Sequence, residues 1–437
     1  MIRLARRLTW LALAFLLPAA FMPAALNPFG PVKRDVFFLL GFLQMGLTAV
    51  EPGGLRRAVA RLSGLPIALP MAAAAAAAGL PFLAAAGSGR AALTAMEGAL
   101  GALLGLALLG NDDRTPGDKL LSAHAAGVIL AAIYGFLQYA GHDPLAWQKG
   151  FAGGAPGSTY GNPLFLADGT SAALLWALVG CVASRGTRRA GWGLAAALLS
   201  GALVVTRARG AWLGTGLAAA ALYLLALRRS PGWVSAHRVG LLLAAAAVLI
   251  PVLFLGPGRT LTHAATLLDP GRDEFRGRRL IWESTARMVR ERPLVGWGPG
   301  EFRSRYTAYQ AALLGQPRFA DIPYHSTSHA HQDYLQWFAE HGALGLGAMV
   351  WLLVSTGRVL LVRGSVTRSA AVAGGTLLIW EVDGCFNGPF HLPPSSMLFW
   401  QFAAVAGCED RRGAAPAFAA ARPRVRVFTV GAVALLV

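Results

Sequence analysis

The stretch VGLLLAAAAVLIPVLFLGP (239–257) decides the fold. Its nineteen residues carry no charged or hydrogen-bonding side chain. As a helix rising about 1.5 Å per residue they extend about 28 Å, close to the roughly 30 Å hydrocarbon core of a bilayer. Nothing in that core can pair with an open backbone N–H or C=O, so the segment must be helical. The alanines 244–247 read as a packing face, because small side chains let helices approach closely in lipid. The run MAAAAAAAGL (71–80) reads the same way. On the N-terminal side stand Arg228, Arg229 and Arg238, and basic residues gather in the short cytoplasmic loops of membrane proteins. On the C-terminal side begins a long polar segment, 258–332, which holds 11 of the chain's 39 basic residues.

Comparable stretches recur from end to end. They fall near 8–26, 36–50, 65–85, 92–110, 120–140, 164–183, 190–206, 210–227, 342–362, 369–385 and 394–408, and with 239–257 they make twelve spans. Hydrophobic residues are 55% and charged residues 14% of the chain, with a mean hydropathy of +0.51. So much apolar surface is meant for lipid and neighbouring helices, not for one water-excluding core. The predicted fold class is an all-α integral membrane bundle. Residues 1–257 hold about nine spans, 258–341 form a long, partly helical loop, and 342–437 supply the remaining spans. The first apolar stretch follows basic residues as in a signal peptide, but with so many spans behind it, it reads as an uncleaved helix. The final VFTVGAVALLV (427–437) is too short to cross a bilayer, which points to a truncated last span or a missing downstream domain. An N-terminus inside puts 22 basic residues in cytoplasmic segments and 6 in short outside ones, as the positive-inside rule requires. That accounts for most of the net charge of +18 and removes the need for a nucleic-acid partner. Cys181, Cys385 and Cys408 have neither disulfide nor zinc spacing.

The long segment lies outside in this topology, and the positive-inside rule does not constrain long loops. Its arginines therefore need another reason. Within GRRLIWESTARMVRERPLVGWGPGEF (277–302), Leu280, Ile281, Ser284 and Met288 share a helical face, Glu283 stands four before Arg287, and Pro293 ends the helix. Such a basic amphipathic helix is expected to lie along the outer membrane surface. Arg207 and Arg209, in VVTRARGAWLG (204–214), fall between two spans, where an arginine snorkels or meets an anion. A guanidinium binds phosphate oxygens bidentately and keeps its charge at any working pH. Arg209 and Arg278 are thus candidates to clamp a diphosphate presented at the membrane face.

The segment closes on HSTSHAHQDYLQWFAEHGALG (325–345), with three of the chain's nine histidines in seven positions. Three readings stand. His325, His329 and His331 with Asp321 offer metal ligands, although a loop spacing fixes no tetrahedral geometry. His331, just before a helix expected to start near Gln332 or Asp333, suits a general base, because a helix N-terminus beside arginines keeps imidazole neutral. A polar loop without chemistry is the third.

These residues resemble the O-antigen ligase and polymerase superfamily of bacterial membrane glycosyltransferases. His331-Gln332, then nine residues, then Gly342-Ala343-Leu344-Gly345 is similar to the family pattern H[NSQ]-x9-G-x-x-G. PLVGWGPGEF (293–302) resembles its PllGvGpGnF stretch, Arg278 with Trp282 its R-x3-W, and Arg209-Gly-Ala-Trp-Leu213 its R-x3-L. GSTYGNPLFLADG (157–169) is similar to GtfgNPNflA, with Leu164 where a second asparagine is common. The resemblance implies a GT-C-like, metal-independent, inverting transferase at the periplasmic face of the bacterial inner membrane, with no cofactor. Its donor would be a glycan on undecaprenyl diphosphate, and its acceptor a hydroxyl on lipid A-core, on another glycan or on a protein. Carried over residue by residue, His331 would deprotonate the acceptor, and Arg209 and Arg278 would hold the diphosphate.

Supporting candidates are Arg207, Arg279 and His329, with Glu381 and Asp383 from WEVDGCFNGPFHLPP (380–394), where charge near the membrane is a functional hint. Glu381 and Asp383 read equally as helix–helix partners. Asp168, Glu97 and His124 read as structural. Two other function classes compete. A lipid-linked glycan transporter predicts repeats and broken helices in two halves, and no half-to-half repeat is found. A metal-dependent membrane hydrolase would use the histidine cluster.

Overall fold

The computed structural model describes residues 1–25, 27–84, 89–110, 117–145, 154–230, 232–255, 273–319, 322, 327–362, 366–391 and 394–407. Among these, the regular elements are helices. They run α1 (Ile2–Ala19), α2 (Gly30–Val50), α3 (Gly54–Leu62), α4 (Ala68–Ala84), α5 (Gly89–Leu109), α6 (Gly117–Tyr139), α7 (Pro163–Ala183), α8 (Gly186–Thr206), α9 (Arg209–Arg229) and α10 (Trp233–Leu255). Then come α11 (Asp273–Glu291), α12 (Phe302–Leu314), α13 (Asp333–Val362), α14 (Arg368–Gly384) and α15 (Ser395–Gly407). The expectations for Asp321, His325, Cys408 and the stretch 427–437 lie outside the described residues.

Each of the twelve apolar stretches overlaps a helix among the described residues. Seven of these, α5 to α10 and α13, are long and apolar enough to cross a membrane. The count of twelve is not carried further by length and apolarity. α1 and α2 open on charged residues, while α4, α14 and α15 have 17, 17 and 13 residues. The chain is a multi-pass helical membrane protein. Its outer surface is correspondingly apolar, with Leu39, Leu194, Leu242 and Phe254 exposed, as lipid-facing side chains are.

Small residues set the packing, as the sequence suggests. A Cβ on Gly127 would stand 2.3 Å from the carbonyl of Phe15, and one on Gly240 2.7 Å from the Cα of Val182, so α6 lies backbone to backbone on α1, and α10 on α7. Helix starts are equally local. Asn162 caps α7 by accepting from Leu164 N at 2.8 Å, ahead of Pro163 at the first helical position, where a missing N–H is harmless. That is the physical content of the Asn-Pro pair.

At one end of the bundle Glu51 is held by Arg6, by Arg3 at 3.4 Å and by Arg57 at 3.3 Å. At the other end, α11 and α12 pack together above the bundle. Leu280 and Ser284 are buried with Leu313 and Phe319, and Ile281 and Met288 with Trp297, Phe302 and Tyr306. This corrects the expectation for the amphipathic helix. The face read as lipid-binding is instead buried against α12 and the start of α13.

One feature was not legible as structure. α13 is broken at Gly342, whose φ is 64° and ψ −171°. Into this break runs the strap 293–298. Ala343 N donates to Pro293 O at 2.8 Å, Trp297 N to Ala339 O at 2.9 Å, and Gly298 N to Glu340 O at 2.9 Å. A Cβ on Gly342 would come within 2.2 Å of Leu294 O, and one on Gly296 within 2.4 Å of the Glu340 carbonyl. Glycine tolerates both the positive φ and the contact. The Pro-Leu-Val-Gly-Trp-Gly stretch and the Gly-Ala-Leu-Gly stretch are two sides of one seam.

Candidate functional site

His331 stands at the start of the short helix 333–341, the part of α13 before the break. Its neighbour Gln332 caps that helix, the side chain accepting from Leu335 N, as an N-cap does. The histidine itself takes a left-handed backbone with φ 51°, uncommon for a residue with a Cβ. The turn is held from both directions. Trp282 Nε1 donates to Ala330 O at 3.1 Å, and Ala330 N donates to Gln336 Oε1 at 2.9 Å.

Arg278 lies one helical turn before Trp282 on α11, so the pair that anchors the loop also aims a cation at it. Burial first, and the Arg278 guanidinium second, hold the His331 imidazole below its ordinary range. The expected neutrality is therefore present, but burial is its main cause, ahead of the arginine. Next to it His329 is pushed down to about 3, first by burial and then by the neighbouring His391, His331 and Arg303. Both rings are neutral near pH 7, as a proton acceptor must be.

Arg278 also faces Asp383 near the end of α14, and Asp383 Oδ1 lies 2.1 Å from where a Cβ on Gly210 would stand. Arg209, the first residue of α9, precedes Gly210 in the chain, and Trp212 Nε1 fixes its turn by donating to Leu203 O at 2.8 Å. Arg209 and Arg278 are both half-buried. Arg207 is the left-handed residue that ends α8, with φ 56°. Arg279 goes elsewhere. It is exposed and pairs with Glu283 at 3.0 Å, which also meets Arg318 at 2.7 Å. Glu381 meets the site through its carbonyl, which accepts from Tyr334 Oη at 2.9 Å.

Sequence reasoning missed an acidic layer under His331. Asp333 accepts from Phe390 N at 2.8 Å and from His391 Nδ1 at 2.5 Å. Glu340 accepts from Gly300 N at 2.9 Å and Phe302 N at 3.2 Å, and its Oε2 lies 3.7 Å from His391 Nε2. Asp168, read as structural, is buried beside Asp383 and Ser395. Asp333 and Glu340 are seven residues apart, two helical turns on one face, which was a readable signal. His391 had none. Glu97 is structural as expected, accepting from Arg34 at 3.0 Å and Ser396 at 3.1 Å.

Among the described residues, no three His, Cys, Asp or Glu side chains converge as metal ligands. The arrangement offers an imidazole of lowered pKa beside a cation, with Asp383 facing the same arginine. That suits removal of a hydroxyl proton next to an anionic group.

No curated protein matches the chain. Residues 194–350, the stretch that holds Arg209, Arg278 and His331, match the family model described as O-Antigen ligase, so over that stretch the chain is similar to the O-antigen ligase family.

Proposed function

We propose that the protein transfers a glycan from undecaprenyl diphosphate to an acceptor hydroxyl at the periplasmic face of the bacterial inner membrane. Its N-terminus is cytoplasmic, and the division into a membrane bundle (1–257), a periplasmic loop (258–341) and C-terminal spans (342–437) follows from that topology. His331 removes the acceptor proton. The acceptor oxygen attacks the anomeric carbon from the face opposite the diphosphate, so the configuration inverts. Arg209 and Arg278 bind the diphosphate and stabilise the charge it gains on leaving. No metal or cofactor takes part. The observation that carries this reading is a neutral, half-buried His331 facing Arg278 at a capped helix start. Among acceptors, lipid A-core is favoured, because the R-x3-L and H[NSQ]-x9-G-x-x-G stretches resemble those of ligases. A glycan or protein acceptor uses the same base and the same arginines.

The test is complementation of a host lacking its own ligase, scored for polymer on lipid A-core. Wild type should restore it, and His331→Ala, Arg209→Ala and Arg278→Ala should not. Variants that leave undecaprenyl-linked chains of normal length mark a ligase, and variants that leave single-repeat lipid mark a polymerase. Full transfer by His331→Ala at normal expression would overturn the proposal.

A further inference from the structure

Three ionisable side chains are buried together beneath His331. The side chains of Asp333 and Glu340 are each 1% exposed, and that of His391 is 7% exposed. The two carboxylates lie on one face of helix 333–341, and unpaired they would repel in a poorly screened setting. His391 enters between them from the turn Pro389–His391, which joins α14 to α15. One ring nitrogen donates to Asp333 Oδ1 at 2.5 Å, and the other lies 3.7 Å from Glu340 Oε2. Burial alone would lower its pKa, but Asp333 and Glu340 outweigh that and raise it above the ordinary histidine value. The remaining titratable groups facing it are His329 and His341.

The clamp reaches both flanks of His331. Asp333 is two residues after it. Glu340 accepts from Gln336 Nε2 at 3.3 Å, and Gln336 Oε1 accepts from Ala330 N at 2.9 Å, one residue before it. His331 needs such support because its left-handed backbone costs on the order of 1–3 kcal/mol and persists only where the surroundings over-determine it. Glu340 also grips Gly300 and Phe302, so the same clamp ties the strap to the helix break at Gly342.

We propose that His391 is a positioning residue for His331: wedged between Asp333 and Glu340, it locks helix 333–341 and the turn that aims the imidazole. The inference rests on the transferase reading for its kinetic consequence, but not for its structural one. His391 lies outside the stretch that matches the O-Antigen ligase family model, so nothing in that match assigns it a role.

Two measurements on the full chain in lipid nanodiscs test it, with His391→Gln as the variant. The first is transfer from an undecaprenyl diphosphate-linked oligosaccharide to lipid A-core. kcat should fall roughly 10- to 100-fold, as expected of a misplaced reacting group. KM for the donor should stay within about two-fold, because donor binding is left to the arginines. The second is diethyl pyrocarbonate labelling of His331, read peptide by peptide by mass spectrometry, which should become several-fold faster when the turn loosens. Wild-type kcat per folded molecule, or an unchanged labelling rate at His331, would overturn the proposal even if folded yield dropped. If wild type transfers nothing from this donor, the transferase reading fails while labelling still decides the positioning role. Should His391→Gln not fold, Glu340→Gln weakens the 3.7 Å leg of the clamp together with part of the grip on Gly300, Phe302 and Gln336, and it carries the same two measurements with the same expected directions.

Discussion

The two ends of the bundle handle buried charge in opposite ways. At the end that carries the N-terminus, one carboxylate, Glu51, is surrounded by Arg3, Arg6 and Arg57. At the other end four carboxylates gather: Asp333 and Glu340 share His391, Asp383 faces the guanidinium of Arg278, and Asp168 lies beside Asp383. In the first cluster the cations tie the ends of α1, α2 and α3 together through Glu51. In the second the acids orient cations and backbone N–H groups, and the neutral imidazoles of His329 and His331 sit at its edge. Buried charge by itself therefore marks neither site as functional. The difference is that at the second end a histidine of lowered pKa, His331, faces an arginine, Arg278.

Variants at the two ends should separate these roles, and the largest effect is expected at His331. His331→Ala should lower transfer about 100-fold or more, the usual contribution of a general base, with thermal unfolding in detergent unchanged. Glu51→Ala should do the reverse. Leaving buried Arg6 unpaired is expected to cost about 3–5 kcal/mol of stability, read as a lower Tm, with kcat per folded molecule kept. Loss of activity without loss of stability at Glu51 would erase the contrast.

Smaller effects sharpen it. Gly342→Ala places a methyl against Leu294 O at positive φ, a strain of order 1–3 kcal/mol, so both Tm and kcat should fall. Arg278→Gln removes a positive neighbour of His331. His331 then protonates at higher pH, and the acidic limb of the pH–rate profile should move upward from its wild-type position. A limb that moves down or stays would dissociate the two residues. Least affected should be Arg279→Gln, since an exposed ion pair contributes about 0–1 kcal/mol, and transfer is expected to stay near wild type.

The seam at Gly342 shows how sequence and structure divided the information. Gly342 and Gly345 were visible as a spaced pair, and 293–302 as a separate glycine-rich stretch. Their meeting was not, because it depends on backbone hydrogen bonds between residues 40 or more positions apart, such as Gly298 N to Glu340 O. The lipid-surface reading of 277–302 failed for a related reason. An amphipathic pattern reports that one face is buried but is silent on what covers it, and here α12 does.

What the sequence determined by itself is whatever follows from local period and solvent partition. That includes the apolar helices and the place of His331 at a helix start. Those properties depend on residues within a turn or two of one another, or on the average preference of a whole segment for lipid over water. Only the tertiary structure decided that Arg279 turns away while Arg278 faces His331, and that Asp168 joins Asp383. It alone brought His391, 58 residues along the chain, into contact with Asp333. Such pairings are set by how helices pack in three dimensions, and a hydrogen bond or a shared charge carries no trace in the spacing of the residues that make it.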